Sequence, residues 1–337
     1  MSKMNLESYP PVFRQQNTEN PQSTDLECIN LDNCTIKEEI QEFGPVPVID
    51  LQSLNLDNLE EACRNWGLIR LVNHGIPLTL LTQLQEQSKK IFSFSFESKQ
   101  SIISNPLSYF WGTPALTPSG TALEKAPKNM NWVEGFNVPL SQISQFQAGD
   151  PTLESFRLLL EEYGRHLTRI ATTVFEAMVK KLNLNPEQLK PYLSESSGLI
   201  RVYRYPPCSI ADETLGMEAH TDSSVLSILN QDQGEGLELL KDDKWLHIDP
   251  IPSTLILNLG DMMQAISNDE YKSVTHRVKT NKDTERFSIC YFVFPGEGSV
   301  IQSSRYKPFT YSDFQAQVQQ DIKTIGCKIG LDRFKLT

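Results

Sequence analysis

Five histidines occur in the 337 residues, at positions 74, 166, 220, 247 and 276. Two of them could share work with an acid. His220-Thr221-Asp222 is an H-x-D triplet. In extended backbone, residues i and i+2 face the same side about 7 Å apart at Cα. An imidazole and a carboxylate so placed can converge on one ion. His276 follows Asp222 by 54 residues in another β-like run, Ser273-Val274-Thr275-His276-Arg277-Val278. Two histidines and one carboxylate make a facial triad, which leaves three positions open on an octahedral metal and suits non-haem Fe(II) and oxygen chemistry. The same ligands can hold zinc, and H-x-D triplets also arise by chance.

A second feature adds weight. Arg286-Phe287-Ser288 begins ten residues after His276. On a strand Arg286 and Ser288 share a face, and a guanidinium fork beside a hydroxyl can clamp a carboxylate. The strand continues as Ile289-Cys290-Tyr291-Phe292-Val293-Phe294, so the arginine leaves from an apolar setting and needs an anionic partner. A structural ion pair with a nearby acid is the plain alternative. His74 in its Asn-His-Gly turn, His247 before Asp249-Pro250, His166 on a long helix and Asp261 in a turn read as structural.

These residues must be held by strands. After Gly198 come short β-rich runs at 198–205, 223–230, 236–240, 245–248, 254–258, 273–279 and 286–294, separated by Gly, Pro, Asn and Asp. Such spacing indicates a sandwich or jelly roll. The preceding half is mainly helical. Residues 58–65 form a helix capped by Asp57 or Asn58 and stopped by Gly67. A strand at 68–72, a turn at 73–75 and an amphipathic helix at 78–94 follow. Residues 104–135 read as loops and short strands, and 152–182 as the longest helix. That helix carries one apolar stripe: Phe156, Leu160, Tyr163, Leu167, Ile170, Val174 and Met178. A short helix opens at Leu184-Asn185-Pro186-Glu187, and 308–327 returns to helix. The chain divides into a polar N-terminal arm (1–44, with a short helix near 36–43), a mainly helical region (45–195), a β core (196–300) and a C-terminal helical segment (301–337).

Composition narrows the function. Lysine and arginine total 31 against 42 aspartates and glutamates, a net charge of −11, so no basic face for nucleic acid is expected. The longest apolar run, Ile289–Phe294, is far short of the roughly 20 residues that cross a bilayer. The first residues lack an apolar signal core and are not the Arg-rich, acid-free type of a transit peptide. The six cysteines contain no CxxC pair and read as reduced thiols. A cytoplasmic monomer is expected, with the nucleus as the other location.

The order H-x-D, distant His, then R-x-S resembles the plant soluble Fe(II)- and 2-oxoglutarate-dependent dioxygenases. Further blocks support the resemblance: PVPVIDL (45–51), ACRNWGLIRLVNHGIP (62–77), NWVEGF (131–136), RYPPC (204–208), HTDSSVLSIL (220–229), LNLGDMMQAISN (257–268) and ERFSICYFVFP (285–295). The resemblance implies an α+β chain with a double-stranded β-helix core and a helical N-terminal half packed on it. It implies His220, Asp222 and His276 as ligands of Fe(2+), with no catalytic residue beyond the metal centre. Arg286 and Ser288 would bind the distal carboxylate of 2-oxoglutarate, with Tyr205 adding a hydroxyl. O2 is the second cosubstrate and ascorbate a helper reductant. One departure stands out. The family usually has asparagine two residues before this tyrosine, where Tyr203 stands here, and a phenol cannot reproduce an amide's paired donor and acceptor.

The implied reaction oxidises a small-molecule C–H, hydroxylation being the expected outcome. The resemblance points to the gibberellin-oxidase-like branch and so to a small hydrophobic diterpenoid acid. Flavonoids, alkaloids, auxin and jasmonate are alternatives on the same scaffold. An oxygenase of this fold that does not use 2-oxoglutarate, and a catalytically silent small-molecule-binding protein, complete the set. The expected pocket wall is Tyr109, Phe110, Trp111, Leu116 and Phe136, joined by Tyr203, Phe292 and Phe294, an aromatic lining suited to a rigid apolar compound.

Overall fold

The computed structural model describes residues 5–14, 44–102, 107–112, 131–146, 149–185, 189–194, 198–208 and 214–336. Leu116 and the short helices expected near 36–43 and at 184–187 fall wholly or partly outside them. The N-terminal half contains α1 (Pro11–Arg14), β1 (Val48–Asp50), α2 (Leu56–Asn65), β2 (Leu68–Val72), α3 (Leu78–Phe92), α4 (Phe96–Ser101), β3 (Ser108–Trp111), β4 (Glu134–Pro139) and α5 (Pro151–Lys181). There follow β5 (Leu199–Tyr205), β6 (Leu215–His220), β7 (Leu226–Gln231), β8 (Leu237–Lys241), β9 (Lys244–His247), β10 (Leu255–Leu259), α6 (Asp261–Ile266), β11 (His276–Lys279) and β12 (Arg286–Val293). The chain ends with β13 (Val300–Ile301), β14 (Phe309–Thr310) and α7 (Tyr311–Ile325).

Local chemistry explains the boundaries. α5 starts where Pro151 supplies a preset φ and the Asp150 carboxylate accepts from the N–H groups of Thr152 and Leu153. α2 starts earlier than its sequence suggests, because Asn55 reaches the N–H groups of both Asp57 and Asn58. Gly67 ends that helix region at φ +65, and a Cβ there would stand 2.2 Å from the Lys272 carbonyl oxygen.

Strand order in the large sheet is β1-β2-β10-β7-β12-β5-β4-β3, and β6-β11-β8-β9 make a smaller sheet. Every ladder in these two sheets is antiparallel except β1 with β2. Period-two alternation splits each central strand of the large sheet between two surroundings. On β12, Phe287, Ile289, Tyr291 and Val293 join the helix-side core with Leu84, Phe92, Phe156, Leu160 and Leu167. Cys290 of the same strand instead meets Met217, Leu237, Leu239 and Val278 of the small sheet, together with Tyr203, Tyr205 and Ile256. Side chains from both sheets thus form one inner layer, as in a jelly roll. No helix among the described residues is long and apolar enough to cross a membrane.

Part of the polar N-terminal arm is anchored. Tyr9 is fully buried and its ring lies 5.7 Å from that of Trp111. Arg14 grips both carboxylate oxygens of Glu97. Beneath this segment lies a buried ionic knot. Glu134 accepts from Lys99, from the Tyr109 hydroxyl at 2.6 Å and from Arg204 at 2.8 Å, while Lys99 also donates to the Ser8 carbonyl at 2.9 Å.

Candidate active site

The ladder between β6 and β11 places His276 directly opposite His220, which is how histidines far apart in sequence become neighbours. Asp222 follows β6 by two residues. Candidate ligand atoms of these three side chains all lie within 4.8 Å of one another. Asp222 Oδ1 is 3.7 Å from His220 Nε2 and 3.8 Å from His276 Nε2. His220 Nδ1 lies 2.7 Å from the Glu218 carbonyl and His276 Nδ1 3.2 Å from that of Val274. A carbonyl only accepts, so each Nδ1 carries the proton and each Nε2 presents a lone pair. The register of this ladder shifts between His276 and Val278.

The far oxygen of Asp222 is held by the large sheet. Ser227 donates to Oδ2 at 2.6 Å and the Asn258 amide at 2.7 Å, leaving Oδ1 toward the histidines. Burial works against ionisation of Asp222, but His276, His220 and these two hydrogen bonds outweigh it and keep the carboxyl below its usual range. Burial, helped by neighbouring His276, lowers His220 to about 4, so its imidazole is neutral near pH 7. Asp261, which begins α6, donates its backbone N–H to the Asp222 carbonyl at 2.8 Å and pairs through its carboxylate with Lys328.

Arg286 and Ser288 project from the inner face of β12, opposite Tyr205 of β5 and Gln231 of β7 respectively. Arg286 is 3% exposed. It donates to Ser288 Oγ at 3.3 Å and Gln231 Oε1 at 2.9 Å, and lies 5.0 Å from the Tyr205 ring centroid. No carboxylate pairs with it among the described residues, and its Nε and the Gln231 amide nitrogen lack partners there. Burial pushes the Tyr205 phenol up to about 12 although Arg286 opposes this, so the hydroxyl stays a donor. A guanidinium desolvated without a counter-charge is a binding site awaiting an anion.

Two spaces adjoin these groups. A small chamber of about 60 Å³ lies among Arg286, Ser288, Tyr205, Asn258 and the three metal-type ligands. A larger cavity of about 380 Å³ opens beyond it, sharing Tyr203, Met217, His220, Asp222 and Phe292 with the chamber. The aromatic residues expected in the wall divide between environments. Tyr203, Phe292 and Phe294 line the larger cavity. Phe110 is in the inner layer behind Tyr203, with ring centroids 6.0 Å apart. Tyr109 and Phe136 lie on the helix side, where they contact each other and Phe136 meets Phe92. Trp111 packs between Tyr9 and Trp132.

Several residues at the site were not singled out by the sequence. Ser227, Asn258, Gln231 and Arg201 are polar residues on inward strand faces. Tyr311, Gln315 and Val318 come from α7, which forms one side of the larger cavity. Strand alternation was the available signal for the first four, and nothing in the sequence brings α7 to the cavity.

Comparison with known proteins gives the same outline. Residues 196–295 match the model of the 2OG-Fe(II) oxygenase superfamily, and residues 46–153 match that of the non-haem dioxygenase in morphine synthesis N-terminal region. The chain is 36% identical to gibberellin 2-beta-dioxygenase 8 of Arabidopsis thaliana over 315 residues, 89% of this chain and 88% of that protein. It is 34% identical to gibberellin 2-beta-dioxygenase 6 of Oryza sativa subsp. japonica, covering 86% of this chain and 84% of that one. Among solved structures, the dioxygenase for auxin oxidation in rice superposes with a TM-score of 0.70 at 21% identity, covering 87% of this chain and 100% of that chain.

Proposed function

The chain belongs to the 2OG-Fe(II) oxygenase superfamily, and from that premise we propose that it oxidises a gibberellin-type diterpenoid acid, with His220, Asp222 and His276 holding the metal. As a 2-oxoglutarate-dependent dioxygenase it uses Fe(II) and 2-oxoglutarate on a small-molecule substrate. The donor set fits the metal: two neutral imidazoles and one ionised carboxylate converge within ligand reach of a common point. The buried guanidinium without an acid partner fits the cosubstrate's distal carboxylate.

Bound iron supplies dioxygen activation coupled to conversion of 2-oxoglutarate to succinate and carbon dioxide. The side chains do the rest. Arg286, Ser288 and Tyr205 bind the distal carboxylate and fix the depth to which the cosubstrate enters. Ser227 and Asn258 keep Asp222 turned toward the histidines. Phe292, Phe294 and Tyr203 give the substrate an apolar wall and exclude water from the reacting centre.

The single observation that carries the substrate class is the identity, above 30% over most of the chain, with proteins named for gibberellin oxidation. A panel assay with Fe(II), 2-oxoglutarate and ascorbate tests it, with products read by mass. Gibberellins should gain one oxygen with matched succinate release. Turnover of auxin, jasmonate or a flavonoid instead would replace the substrate class. Unchanged turnover in His220→Ala would remove the metal assignment.

A further inference from the structure

Arg201 is a second inward-facing arginine, which the cosubstrate clamp does not use. It lies on β5 opposite Cys290 of β12, while Arg286 pairs with Tyr205 four residues along the same ladder. The two arginine positions therefore stand about 13 Å apart along one face of the sheet. Arg286 looks into the small chamber and Arg201 into the larger cavity. The Arg201 guanidinium lies 5.5 Å from the Phe292 ring centroid. Its Nε is buried without a hydrogen-bond partner, and no carboxylate pairs with it among the described residues. Lys328, the other cation lining this cavity, is already engaged by Asp261, the Thr221 carbonyl and Ser223. Tyr203 lies two residues along the same strand face and lines the same cavity.

We propose that Arg201 anchors the substrate's carboxylate in the larger cavity, with the hydrocarbon body against Phe292 and Phe294 and a C–H presented toward the His220 side. The proposal rests on the oxygenase reading above and adds the residue that selects for an acid. It sorts two carboxylic acids by depth. The short dianion fits between the metal ligands and Arg286, and the longer, largely apolar acid stays outside with Arg201. An uncharged analogue of the substrate leaves the Arg201 guanidinium without its counter-charge and is discriminated against for that reason.

The test uses the full chain with Fe(II), and compares a gibberellin free acid with its methyl ester. Binding is read anaerobically by tryptophan fluorescence and turnover by mass. Wild type should favour the acid by about 10- to 100-fold, the range for a charge-assisted hydrogen-bond pair. Arg201→Gln should abolish that preference while keeping Fe(II) and 2-oxoglutarate affinity, and Arg201→Lys should restore part of it. The proposal is overturned if Arg201→Gln binds Fe(II) and 2-oxoglutarate normally and still prefers the acid. It is also overturned if wild type prefers the ester or turns over only neutral compounds, an outcome that leaves the oxygenase reading standing. Wild type that binds neither Fe(II) nor 2-oxoglutarate would remove the oxygenase reading and this proposal together.

Discussion

Replacing Glu134 by glutamine would take one negative charge from a buried knot that holds two positive ones. Glu134 and Lys99 have fully buried side chains, and Arg204 is 9% exposed. Arg204 keeps a second partner in Glu285 at 2.9 Å, so Lys99 bears most of the loss. Breaking a buried pair from one side costs about 3–5 kcal/mol. With an unfolding entropy of about 2.1 cal/mol/K per residue, a chain of this length changes by about 0.7 kcal/mol per degree near its midpoint. Glu134→Gln should therefore lower Tm by about 4–7 °C. Lys99→Met removes the stranded charge, so the double variant should be less destabilised than the sum of the two, by about 1–3 kcal/mol. A pH series gives a second reading. Burial lowers the Lys99 pKa, opposed by Glu134, and without that carboxylate it falls further. The unfolded lysine then binds a proton that the folded one does not, so the variant should regain stability as pH rises from 7 toward 10. Glu134 and Arg204 sit on the helix side of the sheet, so the 2-oxoglutarate KM should not change. A Tm shift under about 1 °C, or a KM that moves with stability, would refute the account of this knot and of the strand faces.

Arg286→Lys replaces a fork by a point charge and should raise the 2-oxoglutarate KM by about 10- to 100-fold, a loss of roughly 1.5–3 kcal/mol, with little change in Fe(II) binding by calorimetry. Ser227→Ala combined with Asn258→Ala frees Asp222 Oδ2 and should weaken Fe(II) affinity about 10- to 100-fold, whereas equal affinity would show that the carboxylate needs no such support. Gly260→Ala would set a Cβ 2.0 Å from the Ser224 carbonyl oxygen, in the segment that carries Asp222. It should impair both folding and metal binding, and a variant with normal Tm and Fe(II) affinity would contradict the packing described. In the metal-free protein His220 should titrate near 4 by NMR. Since the unfolded imidazole protonates first, metal-free stability should fall as pH drops from about 6.5 toward 4.

What could be read from the sequence followed from periodicity and spacing. β12 was visible because Arg286 and Ser288 alternate with Phe287 and lead into an unbroken apolar run, Ile289 to Phe294, rich in β-branched and aromatic residues. The α5 stripe, Phe156 through Met178, is buried as its spacing implies. β6 was not visible: Leu-Gly-Met-Glu-Ala-His has little β preference and ends on the histidine itself. The aromatic wall was only partly legible because nearness along the chain does not fix a face. Tyr109 and Phe110 are adjacent, yet one meets Glu134 on the helix side and the other meets Tyr203 inside. Asn258, Gln231 and Arg201 needed strand register before their chemistry could be located. The α7 side of the cavity depends on tertiary packing, which no local pattern encodes.

The alternation on β5 has a consequence for how such a chain can change over generations. Ile200, Val202 and Arg204 face the helix-side core and its ionic knot, while Arg201, Tyr203 and Tyr205 face the two cavities. A substitution on one set of positions leaves the packing of the other intact. A change on the cavity-facing set can therefore alter what the cavities accept without disturbing the helix-side core, and its folding cost falls on the inner layer that Tyr203 and Tyr205 share. Insertion or loss of a single residue has no such freedom. It would exchange the two faces along the strand, so chemistry and stability would fail in the same event.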